Sequence, residues 1–484
     1  MEHELYLCED VSRTAVRDFF DTMARFREEN PDIIIGEYVH TIQIYHKGAC
    51  VLRIAPAPYS NTDKREVYSL SKSFTSTAIG LAQDEGLLSV EDRLVDIFPD
   101  KLPAVVSDNL SKMKIRHVLS MNTGHDCCVF PQVMNEDDLV TKWLSLPIPF
   151  EPGTHFSYNT GATLMLGAII RRKTGLNVLD YLGLKLFPRL GIEGVSWTRV
   201  KDGTSESGTG LHIACDDIVK LGLLYLNGGT YNGERILSEA WIKDATYPHS
   251  DNSGNGSKDW SSGYGYQFWV NHDEGFRGDG AMGQLCLVLP ESQAVVAVQG
   301  MIADMQYEMD AVTTLVKHLF DHDESYVDDL HIPNYAPYST EVKDFTGNGV
   351  WYFADPNPME ITRFRLRLME DKLEFTFSDG KHVHTVLAGN GEWIPCAFFG
   401  NGMKPKLHDF IRVDEVERVR GFASYEIKDG KPMLFIRMNN APHHLFYVFD
   451  LTPAFASIKI DTHRDWLLRG ECQRLTGHTY GEGR

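Results

Sequence analysis

The sequence predicts an α+β protein in two parts. An antiparallel sheet flanked by helices, with an all-helical subdomain, comes first, and an antiparallel β-barrel or sandwich follows. Three observations carry this expectation. Strand-like runs open the chain, a long helical block follows, and strand-like runs resume before residue 320. Residues 321 to 345 are acidic and hold two prolines, which reads as a linker. Beyond them apolar residues alternate strictly around Asp-Gly turns. The expected division is 1–320, with a helical subdomain at about 90–240, then 346–484, a closed barrel of lipocalin-like type or a sandwich.

Residues 12–28 place Val16, Phe19, Phe20, Met23 and Phe26 at helical spacing. The run "YVHTIQIYHKGACVLRIAP" alternates around Lys47-Gly48, the signature of a hairpin. Residues 69–85 read as a helix stopped by Gly86, and Ser89 and Asp92 stand at capping-box spacing before the next. Helical patterns continue through "IRHVLSM", "TLMLGAIIRRKTG", "VLDYLGLKLF" and "DDIVKLGLLYLNGG". "YGYQFWV", "GQLCLVLP" and "QAVVAVQG" read as strands, and 303–321 as a last helix. The simplest packing joins early and late strands in one antiparallel sheet. In the C-terminal part Phe364, Leu366 and Leu368 face one way and Arg363, Arg365 and Arg367 the other, with Leu373, Phe375 and Phe377 repeating the pattern. His382 and His384 share a strand face, and they, like the neighbours His443 and His444, read as exposed strand or turn residues.

Of 484 residues 43% are hydrophobic, enough for large cores, and the net charge of −20 disfavours nucleic acid and anionic membranes as partners. The N-terminal "MEHELYLCEDVSRTAV" lacks a basic start and an apolar run, and no stretch reaches the roughly 18 apolar residues of a membrane span, so a cytoplasmic location is expected. Eight scattered cysteines read as free thiols. Cys127, Cys128 and nearby His125 lack a second ligand pair, and no metal is expected.

The chemistry is concentrated in "VYSLSKSFTSTAIGLAQDEGLL". Ser69 and Lys72 are three apart, so on a helix their side chains share a face. Serine needs an activating base, and a desolvated lysine gives up its proton more readily. A helix N-terminus at Ser69 favours developing negative charge. An N-cap serine beside a solvated lysine would fit the same spacing, and "SKMK" at 111–114 repeats it in a polar loop. What distinguishes the first copy is its place after a hairpin, at the head of a helix with the apolar face Phe74, Ala78 and Leu81.

That segment resembles the first motif region of penicillin-binding-protein-like serine hydrolases, the class C β-lactamase superfamily. "IRHVLSMNTG", "EPGTHFSYNTGATLMLGAII", "GLHIACDDIVKLGLLYLNGGTYNGERILSEAWI" and "GDGAMGQLCLVLPESQAVVAV" resemble later segments of the same family, in order, over about residues 35–318. The resemblance implies a β-lactamase/transpeptidase-like fold and places the family's Y-x-N motif at Tyr158-Asn159-Thr160, with threonine in the last position. Tyr158 then takes or relays the serine proton, with the lysine lowering its pKa. Asn159 and Thr160 are candidates for substrate contact. A literal K-T-G at 173–175 reads instead as the end of a helix, lysine in the last turn and glycine just past it. The third motif is expected in "FRGDGAMGQ" (276–284), with Arg277, Asp279 or Met282 near the substrate and the register open. Amides of Ser69 and of Gly280 or Ala281 would form an oxyanion hole.

The expected activity is acyl transfer to water through Ser69, Lys72 and Tyr158, with no cofactor, on a small ester or amide. A peptidase acting on D-amino-acid peptides is the alternative, with Arg277 holding a carboxylate. A β-lactamase is a third reading, disfavoured by the missing K-T-G lysine, and a catalytically inactive binding protein a fourth. The C-terminal domain either docks on the catalytic domain or mediates dimers; a homodimer is left open.

Overall fold

A computed structural model describes residues 2–29, 38–321, 344–357, 361–398, 419–440, 444–461 and 473–479, with single positions between 330 and 341. Most of the expected 321–345 linker and His443 lie outside the described residues.

The first sheet is seven-stranded and antiparallel: β1 (Glu4–Leu7), β2 (Tyr38–His46), β3 (Ala49–Ala55), β4 (Trp269–Val270), β5 (Phe276–Gly280), β6 (Gln284–Leu289) and β7 (Ala294–Met301), in the order β1-β3-β2-β7-β6-β5-β4. The pairing of β2 with β7, Ile44 opposite Val296, joins the early and late strands in one sheet as expected. Lys47 and Gly48 both have positive φ, 51° and 82°, the geometry of a two-residue hairpin turn. β7 is buried on both faces, which explains why it reads as a continuous apolar run.

Helices cover both faces. On one, α1 (Arg13–Glu29) buries Val16, Phe19, Phe20 and Met23 against the sheet beside the helix Met305–Lys317. On the other, α2 (Ser71–Asp84) and the helix Cys215–Leu226 enter a single large core with the helical layer. Every residue of α2 from Ser71 to Ala82 is buried, because it runs between sheet and helical layer. Past its end Gly86 turns left-handed at φ 71° and the Leu87 amide reaches back to Ala82 O at 2.9 Å.

Several expectations need correction. "YGYQFWV" yields only the two-residue β4, because Gln267 takes φ 65° and breaks the pleat. Ser89 and Asp92 form a turn rather than a helix cap: the Ser89 amide donates to Asp92 Oδ2 at 3.2 Å, and the helix begins only at Leu94. His384 is buried, 4% exposed, not an open strand residue.

The C-terminal strands form a closed barrel. Strands Trp351–Ala354, Arg363–Met369, Lys372–Ser378 and Val383–Asn390 continue into Val419–Lys428, Lys431–Met438, His444–Leu451, Phe455–Asp461 and Gln473–His478, while Ile394–Phe398 hangs outside the circuit. With nine strands in the circuit among the described residues, one contact must be parallel, and it is Gly389 opposite Ser424. Phe364, Leu366, Leu373, Phe375 and Phe377 fill the interior as the alternation predicts. Asp429 and Gly430 turn at φ 52° and 75°.

Candidate active site

Ser69 lies in one 3₁₀ turn, Tyr68–Leu70, that leads straight into α2 at Ser71. Tyr68 sits at φ 44°, a left-handed conformation that costs a side-chain-bearing residue roughly 1–2 kcal/mol. The turn is pinned from below. A Cβ on Gly280 would fall 2.1 Å from the Val67 carbonyl oxygen, and one on Gly278 2.4 Å from Ser73 Oγ, so through its two glycines β5 abuts the backbone at 67–70 and the Ser73 side chain.

Lys72 is 2% exposed. Its Nζ donates to Ser69 Oγ at 3.0 Å, to Thr160 Oγ1 at 3.2 Å and to the Gly208 carbonyl at 2.7 Å. Burial pulls its pKa down to about 7, with Cys128 and Asp279 pulling weakly the other way. A neutral amine donates twice and accepts once, and a hydroxyl can reverse its role, so the same contacts suit the free base.

Tyr158 reaches the same point from the loop before the helix Thr160–Thr174: it hydrogen-bonds Ser69, and Lys72 Nζ stands 4.9 Å from its ring centroid. Trp269 of β4 stacks on the phenol ring at 5.2 Å and 18°. Burial, and then the Asp279 carboxylate, push the Tyr158 pKa well above that of a free phenol. The direction is opposite to the expected lowering: burial and the Asp279 carboxylate outweigh the Ser69 hydrogen bond and the Arg277 charge, which act downward. At Ser69 the group poised to give up a proton near pH 7 is Lys72.

The second motif divides its labour in an unexpected way. Thr160 turns to Lys72, so its hydroxyl is the motif's contact with the site. Asn159 turns away: its Oδ1 accepts from Ala162 N at 3.3 Å and Val129 N at 3.0 Å, capping the helix instead of meeting a substrate.

The segment expected to carry the third motif forms β5. Asp279 lies close enough to affect the titration of Lys72 and Tyr158, and burial raises its own pKa. Arg277 is fully buried behind it: Nε donates to Asp279 Oδ2 at 3.0 Å, Nη1 to Asn271 Oδ1 at 2.9 Å, and the guanidinium stacks 4.3 Å from the Trp260 ring centroid. Arg277 therefore cannot hold a substrate carboxylate. Met282 packs under Tyr68 with Met301, 1% exposed, and is no substrate contact either. The hairpin 281–283 turns through Met282 at φ 65° and Gly283 at 75°, leaving Ala281 half-buried where β5 meets the Ser69 turn. The literal K-T-G ends a helix, with the Gly175 amide donating to Arg171 O at 2.9 Å and Gly175 at φ 75°. In the other S-x-x-K, Ser111 binds Asp108 O and Lys114 pairs with Glu91.

Sequence reasoning passed over Gly208, Trp269 and Glu66. No local pattern marks Gly208, from a distant loop, or Trp269, from β4. Glu66, three residues before Ser69, is 8% exposed; Thr209 Oγ1 donates to its Oε1 at 3.3 Å, and burial raises its pKa to about 7.

A sheet whose glycine strand pins an S-x-x-K turn, with a tyrosine brought in from a helical layer, defines the penicillin-binding-protein-like class of folds. The chain belongs to the Beta-lactamase family, whose model matches residues 41–311. It is 23% identical over 203 residues to the 6-aminohexanoate-dimer hydrolase of Paenarthrobacter ureafaciens, a match covering 39% of this chain and 52% of that protein. It is 24% identical over 194 residues to penicillin-binding protein 4* of Bacillus subtilis strain 168, covering 37% of this chain and 40% of that one. The chain thus spans about half the length of the curated relatives it matches. Among solved structures, EstCE1, a hydrolase with promiscuous acyltransferase activity, superimposes with a TM-score of 0.51 at 15% identity, over 63% of this chain and all of that one; this likeness is one of fold.

Proposed function

We propose that this protein is a serine hydrolase working through an acyl-enzyme on small esters or amides. The observation that carries the reading is the buried Lys72 amine, 3.0 Å from Ser69 Oγ, with its pKa brought to about 7. Neutral Lys72 takes the Ser69 proton as Oγ attacks the substrate carbonyl. The oxyanion is held by the amides of Ser69 and of the strand end at Gly280 or Ala281. As the tetrahedral centre collapses, the proton passes to the leaving alcohol or amine through the protonated Tyr158 hydroxyl. Water, deprotonated by the same amine, then releases the acid and restores Ser69.

Neutral acyl groups fit best. Neither cation beside Ser69 among the described residues stands free to serve as the family's third-motif cation: Arg277 is sealed behind Asp279, and Lys72 is committed to Ser69, Thr160 and Gly208. A carboxylate-bearing β-lactam or peptide would meet Asp279 instead. This favours esters and uncharged amides over the carboxylate-dependent readings.

Labelling with a fluorophosphonate and assays on a panel of neutral esters, amides, β-lactams and D-peptides test this. Wild type should label at Ser69 and hydrolyse neutral esters, and Ser69→Ala should do neither. A folded wild type that fails to label, or one that turns over only carboxylate-bearing substrates, would refute it.

A further inference from the structure

The barrel carries a second chemical cluster. Between strands Lys372–Ser378 and Val383–Asn390 the chain turns through Asp379-Gly380-Lys381-His382, and His384 follows on the strand. Asp379 Oδ1 accepts the amides of Lys381 at 2.9 Å and His382 at 2.6 Å, which fixes the carboxylate. Oδ2 then faces both imidazoles, 3.4 Å from His384 Nε2 and 3.6 Å from His382 Nδ1. The His384 ring stacks on Phe377 at 4.8 Å, so its plane is set. The side chains of Asp379 and His384 are 5% and 3% exposed, while that of His382 is 54% exposed and forms the outer wall.

The spacing is informative. The His384 Nε2–Asp379 Oδ2 contact is a long hydrogen bond at 3.4 Å, against about 2.7–2.9 Å for a tight charge-assisted one. Ligands at about 2.0–2.1 Å around a tetrahedral ion stand about 3.3–3.4 Å apart, close to the two separations here. All three donor atoms lie within 4.8 Å of one another. Two imidazoles and one carboxylate oxygen suit zinc and its neighbours better than calcium or magnesium, which favour oxygen.

We propose that Asp379, His382 and His384 bind a divalent transition-metal ion of the zinc class at this barrel turn, with the fourth coordination position open beside exposed His382. This revises the expectation that the histidines are uninvolved surface residues. Bound metal would fasten the turn to the strand that follows it.

Metal-stripped full-length protein is titrated with zinc chloride by calorimetry and with cobalt(II) by visible absorption, and its melting is followed with and without zinc. Wild type should take up one ion per chain at this site, show the absorption of a tetrahedral cobalt centre, and melt higher with zinc. His382→Ala, changing an exposed side chain, should weaken binding roughly tenfold or more and lose the zinc-dependent rise in melting temperature. Asp379→Asn should do likewise, and neither should alter labelling of Ser69. Absence of zinc uptake by wild type, or His382→Ala binding zinc as tightly as wild type, would overturn the proposal.

Discussion

Lys72 illustrates how burial sets reactivity at a single residue. Below its folded pKa of about 7 the amine is charged and cannot take the Ser69 proton. The rate should therefore rise with pH through an inflection near 7 and level off above it, as a kcat/KM profile on a neutral ester would show. Lys72→Ala should lower kcat by about 10²–10⁴-fold, the range of a lost general base. Thr160→Val removes an acceptor that favours the charged amine, so the inflection should shift to lower pH, whereas Thr160→Asn should keep it nearer to wild type. Glu66 acts on stability instead. Its folded pKa of about 7 lies above the ordinary carboxylate value of 4.5, so the native state holds a proton that the unfolded chain has lost. Stability is therefore drawn down as pH rises from about 4.5 to 7. Glu66→Gln should be close to wild type at pH 4 and more stable by about 2–3 kcal/mol at pH 8, measured by urea unfolding. Equal urea midpoints at pH 8 would refute this.

At the scale of elements, the site depends on one strand lying against one turn. β5 approaches the 67–70 backbone so closely that a methyl at residue 280 meets a carbonyl rather than a side chain that could move aside. Gly280→Ala should cost about 1–3 kcal/mol as the strand end is pushed off the turn. It should also lower kcat more than it raises KM, because the displaced amides are those of the proposed oxyanion site. Thermal melting and ester kinetics on the same variant test both parts; a variant with wild-type kinetics would show that the strand end does not form that site. The buried length of α2 serves the same end, since a helix packed on all sides holds Lys72 in register with Ser69.

At the scale of the whole molecule, the barrel grips the segment just before the nucleophile. Arg65 Nε donates to Asn439 O at 3.2 Å, and the Glu66 amide donates to Asn440 O at 3.2 Å. Around them Tyr59, Tyr335 and Trp393 form a small aromatic core, and the Arg437 guanidinium lies 4.2 Å from the Tyr38 ring centroid. The barrel docks on the β-lactamase-like domain, one of the two arrangements the sequence left open. Arg437→Ala should loosen this contact by about 0.5–2 kcal/mol. It should reduce ester turnover while Ser69, Lys72 and Tyr158 stay unchanged. Limited proteolysis should separate the two parts faster in the variant; unchanged cleavage and turnover would mean that this contact does not hold the docking.

The sequence by itself determined most of the elements and the local chemistry. Period-two alternation around Asp-Gly gave the barrel strands, three-residue spacing put Ser69 and Lys72 within reach, and a terminal glycine marked the literal K-T-G as a helix end. These depend on neighbours a few positions away. Only the tertiary structure decided the direction of the side chains in the motifs. Asn159 and Thr160 are adjacent, yet one caps a helix and the other meets Lys72, because that helix packs with its first residue against α2. Arg277 and Asp279 share a strand face, and Trp260 and Trp269, from elsewhere in the chain, decide that the arginine is sealed in. The pKa order of Lys72 and Tyr158 likewise follows from burial, which is set by everything that packs around them and by no residue alone.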